Sequence, residues 1–170
     1  MLLALVALAG IFVALYLALY KLGYIGQLVC AVGSCEKVQT SKWAKMFGMP
    51  VAVWGVGYYV GVLALALIGI RPSFADRRGV SQLLVGVTGI GLLFSAWLTY
   101  LELFVIDAIC QWCVISAVLA TALFVLALLD LREVSALELA LDAAEELRVG
   151  RFGDGIRNTA EVSARALRDE

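Results

Sequence analysis

The sequence has no histidine. That absence removes imidazole-held haem and zinc, and every Ser-His or Cys-His catalytic arrangement. Charge is also scarce. Only 16% of the 170 residues are charged, against roughly 25% in a soluble domain. The formal net charge of −1 offers no basic surface for nucleic acid. No glycine pattern of the dinucleotide-binding kind occurs. What abounds is apolar: 63% of residues are hydrophobic and the mean hydropathy is +0.96, which points to a membrane protein.

The apolar residues fall into four runs, at 2–20, 51–70, 80–101 and 110–129. About 20 residues at 1.5 Å each span a hydrocarbon core of roughly 30 Å. The first run lacks a basic leader and is longer than a signal-peptide core, so it reads as an anchor rather than a signal peptide. Pro50 opens the second run, as proline does at a first helical turn, and Arg71-Pro72 ends it. Gly57 and Gly61 within it are small residues of the kind that let membrane helices pack closely. The expected fold is an all-α four-helix transmembrane bundle over residues 1–130.

The 21–49 connector is polar and glycine-bounded. Between Glu36 and Phe47 it lacks Gly and Pro, which predicts a short extramembrane helix with Val38, Trp43 and Phe47 as its contacts. Trp43, beside Lys42 and Lys45, suits a membrane–water interface. Residues 131–170 hold most of the charged residues and form a separate tail. Leu137, Leu141, Ala144 and Leu147 predict an amphipathic helix there. Gly150, Gly153 and Gly155 are expected to break it, leaving a last stretch that is helical or disordered.

Four cysteines make two close pairs, Cys30-x4-Cys35 in the connector and Cys110-x-x-Cys113 at the start of the fourth run. Four crossings put both pairs on one side and both termini on the other. Arg71, Arg77, Arg78, Arg132, Arg148 and Arg151 favour a cytoplasmic tail slightly over Lys21, Lys37, Lys42 and Lys45. Disulfides persist outside the cytosol, which favours the same orientation: termini cytoplasmic, cysteines periplasmic or extracellular, in a multi-pass plasma-membrane protein.

A helix start stabilises thiolate, the reactive form, at Cys110 and Cys113. A mobile connector pair beside a fixed pair can relay two electrons through a mixed disulfide. Two structural disulfides and a four-thiolate metal site are the alternatives. Bridges over such short gaps constrain little of the unfolded chain, and one pair sits at the membrane edge, so the reading taken is redox-active with no metal. With no haem or dinucleotide fingerprint, a lipid-soluble quinone is the economical acceptor. Ser41, Trp43, Phe47, Trp54 and Tyr58 are candidates to line its slot near Cys113; interface anchoring is their alternative role. Quinone reduction takes up two protons, and Glu102 and Asp107 are close enough in sequence to be candidate donors; the reading taken for both is a solvated turn carboxylate.

Taken together, these residues resemble the vitamin K epoxide reductase family in its bacterial branch. The resemblance rests on Cys30-x4-Cys35, Thr40-Ser41-Lys42-Trp43, Phe47-Gly48, Pro50 and Trp54-Gly55, then Tyr100-Leu101-Glu102-Leu103-Phe104 and Ile109-Cys110-Gln111-Trp112-Cys113. It implies a four-helix bundle around a quinone (ubiquinone or menaquinone), capped by a short helix, with Cys113 nearest the quinone. It implies that Cys30 meets a thioredoxin-fold partner, that Cys35 exchanges with Cys110, and that Ser41 is the family's loop serine. Animal members carry an Asn and a Tyr on the ligand's oxygens, where this chain has Val51 and Ala117, so ordinary quinone reduction is expected rather than epoxide reduction. Some bacterial members carry a fused thioredoxin-like domain; 131–170 is too short for one, so the partner is expected to be a separate periplasmic chain. A membrane redox sensor using the same disulfides without quinone turnover is the alternative function.

Overall fold

In the computed structural model of the chain, residues 1–31, 33–69 and 77–166 are described. Two units are distinguished, Met1–Leu131 and Arg132–Glu170. Among the described residues five α-helices occur in chain order: α1 (Leu2–Lys21), α2 (Cys35–Thr40), α3 (Val51–Gly69), α4 (Arg77–Leu101) and α5 (Gln111–Ala166). A π-helical turn, Glu102–Ile106, follows α4. Four of the helical segments are long and apolar enough to cross a membrane. The expected all-α architecture, a four-helix multi-pass membrane protein, is therefore the one observed.

Helix α1 ends at Lys21, with Leu22 as its cap and a glycine next. Gly23 sits at φ +84°, its N–H donates to the Tyr20 carbonyl (3.1 Å), and the Tyr24 N–H reaches back to Leu19 (3.0 Å). This is the paired closure that a left-handed glycine gives a helix end, and it turns the chain into the connector.

Helix α1 packs along α3, and α3 along α4. Ala7 and Ala14 of α1, Tyr59 and Val62 of α3, Leu84 of α4, and Leu123 and Ala127 of α5 form the buried core of the first unit. Small residues admit large ones at two points. A Cβ on Gly10 would strike the Tyr59 ring, and one on Gly91 the end of the Tyr58 ring. The Tyr59 hydroxyl also donates to the Ser116 carbonyl (2.9 Å), tying α3 to α5. Further along, Ser81 donates to Asp130 (2.6 Å), tying α4 to α5.

The expected close-packing role of Gly57 and Gly61 does not hold. Both face outward, and a Cβ at either would meet no described atom within 4 Å. The glycines that matter are those opposite aromatic rings.

The connector also departs from the single helix expected over 36–47. Helix α2 stops at Thr40, because Ser41 is extended (φ −63°, ψ 157°) while its hydroxyl turns back to the Val38 carbonyl (2.8 Å). A 3-10 turn (Lys42–Ala44) follows, then a two-stranded hairpin in which β1 (Lys45–Met46) pairs antiparallel with β2 (Met49–Pro50). Phe47 and Gly48 make its turn, both at positive φ (52° and 80°). Two such residues match the twist of a tight hairpin.

Helix α3 begins directly after Pro50, as expected, and its described residues end at Gly69. The expected ends and links at Ile70, Arg71-Pro72 and Asp76 lie outside the described residues. Helix α4 starts earlier than the expected residue 80, at Arg77; arginine is a good helix former, and the single Gly79 before Val80 weakens the first turn without stopping it. Helix α5 extends beyond the expected 129, since neither Gly nor Pro occurs between Gln111 and Gly150.

In the second unit the chain is helical from 132 to 166. Gly150, Gly153 and Gly155 do not end the helix as expected. Glycine costs about 1 kcal/mol relative to alanine, which weakens a helix without stopping it. Leu137, Leu139, Leu141 and Leu147 are exposed.

Candidate functional site

All four cysteines converge at one end of the first unit. Cys30 and Cys35 are joined as a disulfide; Cys110 and Cys113 are free thiols. Cys35 and Cys110 are 1% and 0% exposed and share one buried cluster with Val38, against which Cys30 and Cys113 also pack. Cys35 is the first residue of α2, and Cys110 immediately precedes α5.

The strap bearing Cys30 is clasped to the start of α5. Gly33 bridges Cys110 backbone to backbone. The Ser34 N–H donates to the Ile109 carbonyl (3.0 Å), the Trp112 indole to the Val29 carbonyl (2.9 Å), and the Ala31 N–H to the Gln111 side chain (3.1 Å). From α1, the Tyr16 hydroxyl accepts the Val29 N–H (3.1 Å), and its ring lies against Trp112 (4.9 Å between centroids). Most of these bonds are exposed to water. Such contacts open at little cost.

Cys110 sits at the start of α5, where its carbonyl takes the Val114 N–H (3.0 Å). A hydrogen bond from the Cys113 thiol, with help from the Cys113 and Trp112 N–H groups, holds its thiol below the ordinary value. Burial and the nearby Glu102 oppose that shift without reversing it. Three polar groups surround the Cys113 sulfur: the Cys110 thiol, the Glu102 carboxyl and the Gln39 amide, whose Nε2 lies 4.0 Å away.

Cys113 opens onto a cavity of about 320 Å³ between α1, α3, α4 and α5, roofed by the connector. Its walls are largely apolar, from Leu17, Trp54, Ile90, Phe94 and Leu98, with a few polar groups at Gln39, Ser41 and Glu102. That size and lining fit a small aromatic ligand; such sites measure roughly 300–1,000 Å³. Among the described residues lining it none is basic, and Glu102 is the one carboxyl. Tyr58 lies beside Gly91, roughly 15 Å along α4 from Leu101 by helical rise. Its buried hydroxyl has no hydrogen-bond partner among the described residues.

Of the five residues expected to line a ligand slot, Ser41, Trp43, Trp54 and Tyr58 do face this cavity. Phe47 does not: it is 89% exposed at the hairpin turn. Trp43 meets Trp97 of α4 edge-on (6.3 Å) and carries Lys42 over its ring (5.4 Å), so the roof rests on α4 through an aromatic contact. Phe47→Ala should leave the KM for a soluble quinone within about twofold, whereas Trp54→Ala should raise it several-fold. Equal effects in steady-state assays would overturn this distinction.

Two site residues went unread or misread in the sequence. Gln39, 7% exposed, has nothing in the sequence that sets it apart from the other polar residues of the connector. Glu102 was read as a solvated turn carboxylate, yet it is 5% exposed and its Oε2 accepts the Cys110 N–H (3.1 Å). The π-helical turn inverts the expected pattern: the carboxylate goes in, and Leu103, Phe104 and Val105 face out. A π-turn admits an extra residue, re-aims the side chains around it and recurs at functional sites. Asp107 does stand exposed, as expected, and offers only its backbone carbonyl to Lys37 (3.2 Å).

The cysteine spacing, the four apolar helices and the thiol-mouthed cavity agree with one further finding. The family model described as the vitamin K epoxide reductase family matches residues 1–128, three quarters of the chain, and the protein belongs to that family.

Proposed function

We propose that the protein is a thiol:quinone oxidoreductase that re-oxidises a thioredoxin-like partner and delivers the electrons to a quinone in the 320 Å³ cavity. Family membership carries the coarse part, since enzymes of this family reduce quinones through paired cysteines. The observation that supports the finer part is the order of burial. Cys30 lies on an exposed strap, Cys35 and Cys110 are packed together beneath it, and Cys113 is at the cavity. The electrons would pass from a partner's dithiol to the Cys30–Cys35 disulfide, and from that pair to Cys110–Cys113 by thiol–disulfide exchange. The last step converts the inner dithiol and a quinone into a disulfide and a hydroquinone. The two electrons and two protons leave the sulfurs and arrive on the quinone oxygens.

The same reading places the cysteines on the periplasmic or extracellular face and both termini, with the charged 131–170 segment, in the cytoplasm. The partner is a separate chain with a thioredoxin fold, and the quinone is ubiquinone or menaquinone. Orientation rests on the redox environment that disulfides require.

Purified protein given a reduced thioredoxin-fold protein and a short-chain quinone should consume both thiols and quinone in a one-to-one ratio of dithiol to quinone. Cys113→Ala should reduce quinone consumption to background. Disulfide exchange with the partner in the absence of any quinone turnover would instead assign the protein as a redox sensor.

A further inference from the structure

We infer that Glu102 is the proton relay of the quinone-reducing step, a role that rests on the quinone reading above. Three observations lead there. The carboxyl is buried inside a helical membrane bundle, where an ionised group without purpose is costly. It sits beside both reacting cysteines: the Cys110 N–H donates to Oε2 (3.1 Å), and Cys113 lines the same cavity as its carboxyl. Glu102 and Cys113 thus line one space, the one a quinone would fill, with no other carboxyl among the described residues between them. Among the described lining residues no second carboxyl and no basic side chain competes for this task.

The chemistry needs such a group. In the net step both S–H bonds break, one S–S bond forms, and both protons move to quinone oxygens. A thiol is a poor electron donor until it loses its proton. The Glu102 carboxylate takes the proton of Cys113 as its sulfur gives up electron density, then donates it to the quinone oxygen as negative charge develops there. The proton of Cys110 follows by the same route as that sulfur attacks Cys113 and closes the disulfide. Glu102 ends the turnover as it began, so no outside proton source is required. Gln39, with its amide near the Cys113 sulfur from the other side, supplies a fixed donor and cannot exchange a proton in this way.

Glu102→Gln separates this role from a structural one. The amide oxygen can still accept the Cys110 N–H, but the side chain can no longer carry a proton. Expected for the variant is a fall in kcat of about 10²-fold or more. Equilibrium binding of a short-chain quinone should stay within about threefold of the parent, and the solvent deuterium isotope effect on quinone reduction should rise. Glu102→Asp, which keeps a titratable group at shorter reach, should recover part of the rate. A kcat within threefold of the parent, or a loss of rate matched by an equal loss of quinone binding, overturns the assignment. If Glu102→Gln does not fold, Glu102→Asp decides: a parental rate and isotope effect there count against the relay, and a slowed, more isotope-sensitive reaction supports it. A parent protein that reduces no quinone overturns the quinone reading itself. A parent that does, with Glu102→Gln equally active, overturns only the relay.

Discussion

Removing Cys30 and Cys113 together should leave a stable disulfide between Cys35 and Cys110. In the native chain each of these two has a local partner to resolve any cross-link: Cys30 for Cys35, and Cys113 for Cys110. With both resolving thiols gone, a Cys35–Cys110 bond formed by a mild oxidant has no intramolecular thiol to break it. The two residues belong to one buried cluster. The Gly33–Cys110 bridge and the Ser34 to Ile109 hydrogen bond hold the start of α2 against the start of α5. Proximity of that kind makes the cross-link nearly complete rather than fractional. The opposite pair of substitutions, Cys35→Ala with Cys110→Ala, leaves Cys30 on the outer strap and Cys113 at the cavity, and should leave both as thiols. Peptide mapping without reduction distinguishes the two. Equal cross-linking in both variants, or none in the first, would sink the proposed order of transfer.

The legible and illegible parts of this protein differ for a physical reason. The four long helices are written in runs of apolar residues long enough to meet a fixed bilayer thickness, so composition alone locates them. The cysteine pairs are legible because thiol exchange demands proximity, which short spacing supplies within each pair. Their convergence follows from counting crossings, since an even number returns the chain to the same side.

What escaped was local geometry set by single residues. Nothing in Glu36–Phe47 announces that Ser41 will be extended, because serine is compatible with both a helix and its end. Phe47 is an unusual choice for a left-handed turn position, where a non-glycine residue costs about 1–2 kcal/mol. A reader of the sequence places it in the helix or the slot, and the hairpin instead lifts it clear.

Glu102 escaped because a charged residue beside Asp107, near the end of an apolar run, looks like a water-facing turn. Its burial depends on the π-turn, and that irregularity has no simple sequence signal. The one hint was the sequel: Leu103, Phe104 and Val105 are poor residues for a solvated loop, and their outward placement is what sends the carboxyl inward. Glycine function was similarly hidden. Gly57 and Gly61 have the spacing associated with helix contacts but face open space, whereas Gly10 and Gly91, without such spacing, lie under Tyr59 and Tyr58.

Replacing Gly33 by valine should slow partner-driven turnover by about 10- to 100-fold while leaving oxidation of a small dithiol by the inner pair near parental rates. The range follows from 1.4 kcal/mol per tenfold, applied to a closed strap destabilised by a few kcal/mol. Two costs add up at this position. Gly33 has φ +89°, a conformation that a β-branched residue tolerates badly, at about 1–3 kcal/mol. A Cβ there would also drive into the Ile109 carbonyl, the same oxygen that accepts the Ser34 N–H. The clasp that holds the strap on Cys110 is made of a few exposed hydrogen bonds, each contributing about 0.5–1.5 kcal/mol, so it cannot absorb this loss. The strap then spends most of its time away from the inner pair, and exchange between Cys35 and Cys110 becomes rare. Cys113 and most of the cavity wall belong to α3, α4 and α5, so quinone reduction by the inner pair is expected to change much less than the exchange. Gly48→Ala provides the control: its φ of +80° carries similar strain, but a Cβ there meets no described atom within 4 Å and touches no part of the clasp. Rapid acid-quench measurement of the inner-pair redox state after mixing with reduced partner reads the exchange directly. Slowing in Gly33→Val but not in Gly48→Ala would show that the strap's fit against Cys110, rather than backbone strain in the connector at large, sets the rate of electron entry. Equal rates in both variants and the parent would mean that the clasp is not part of the path.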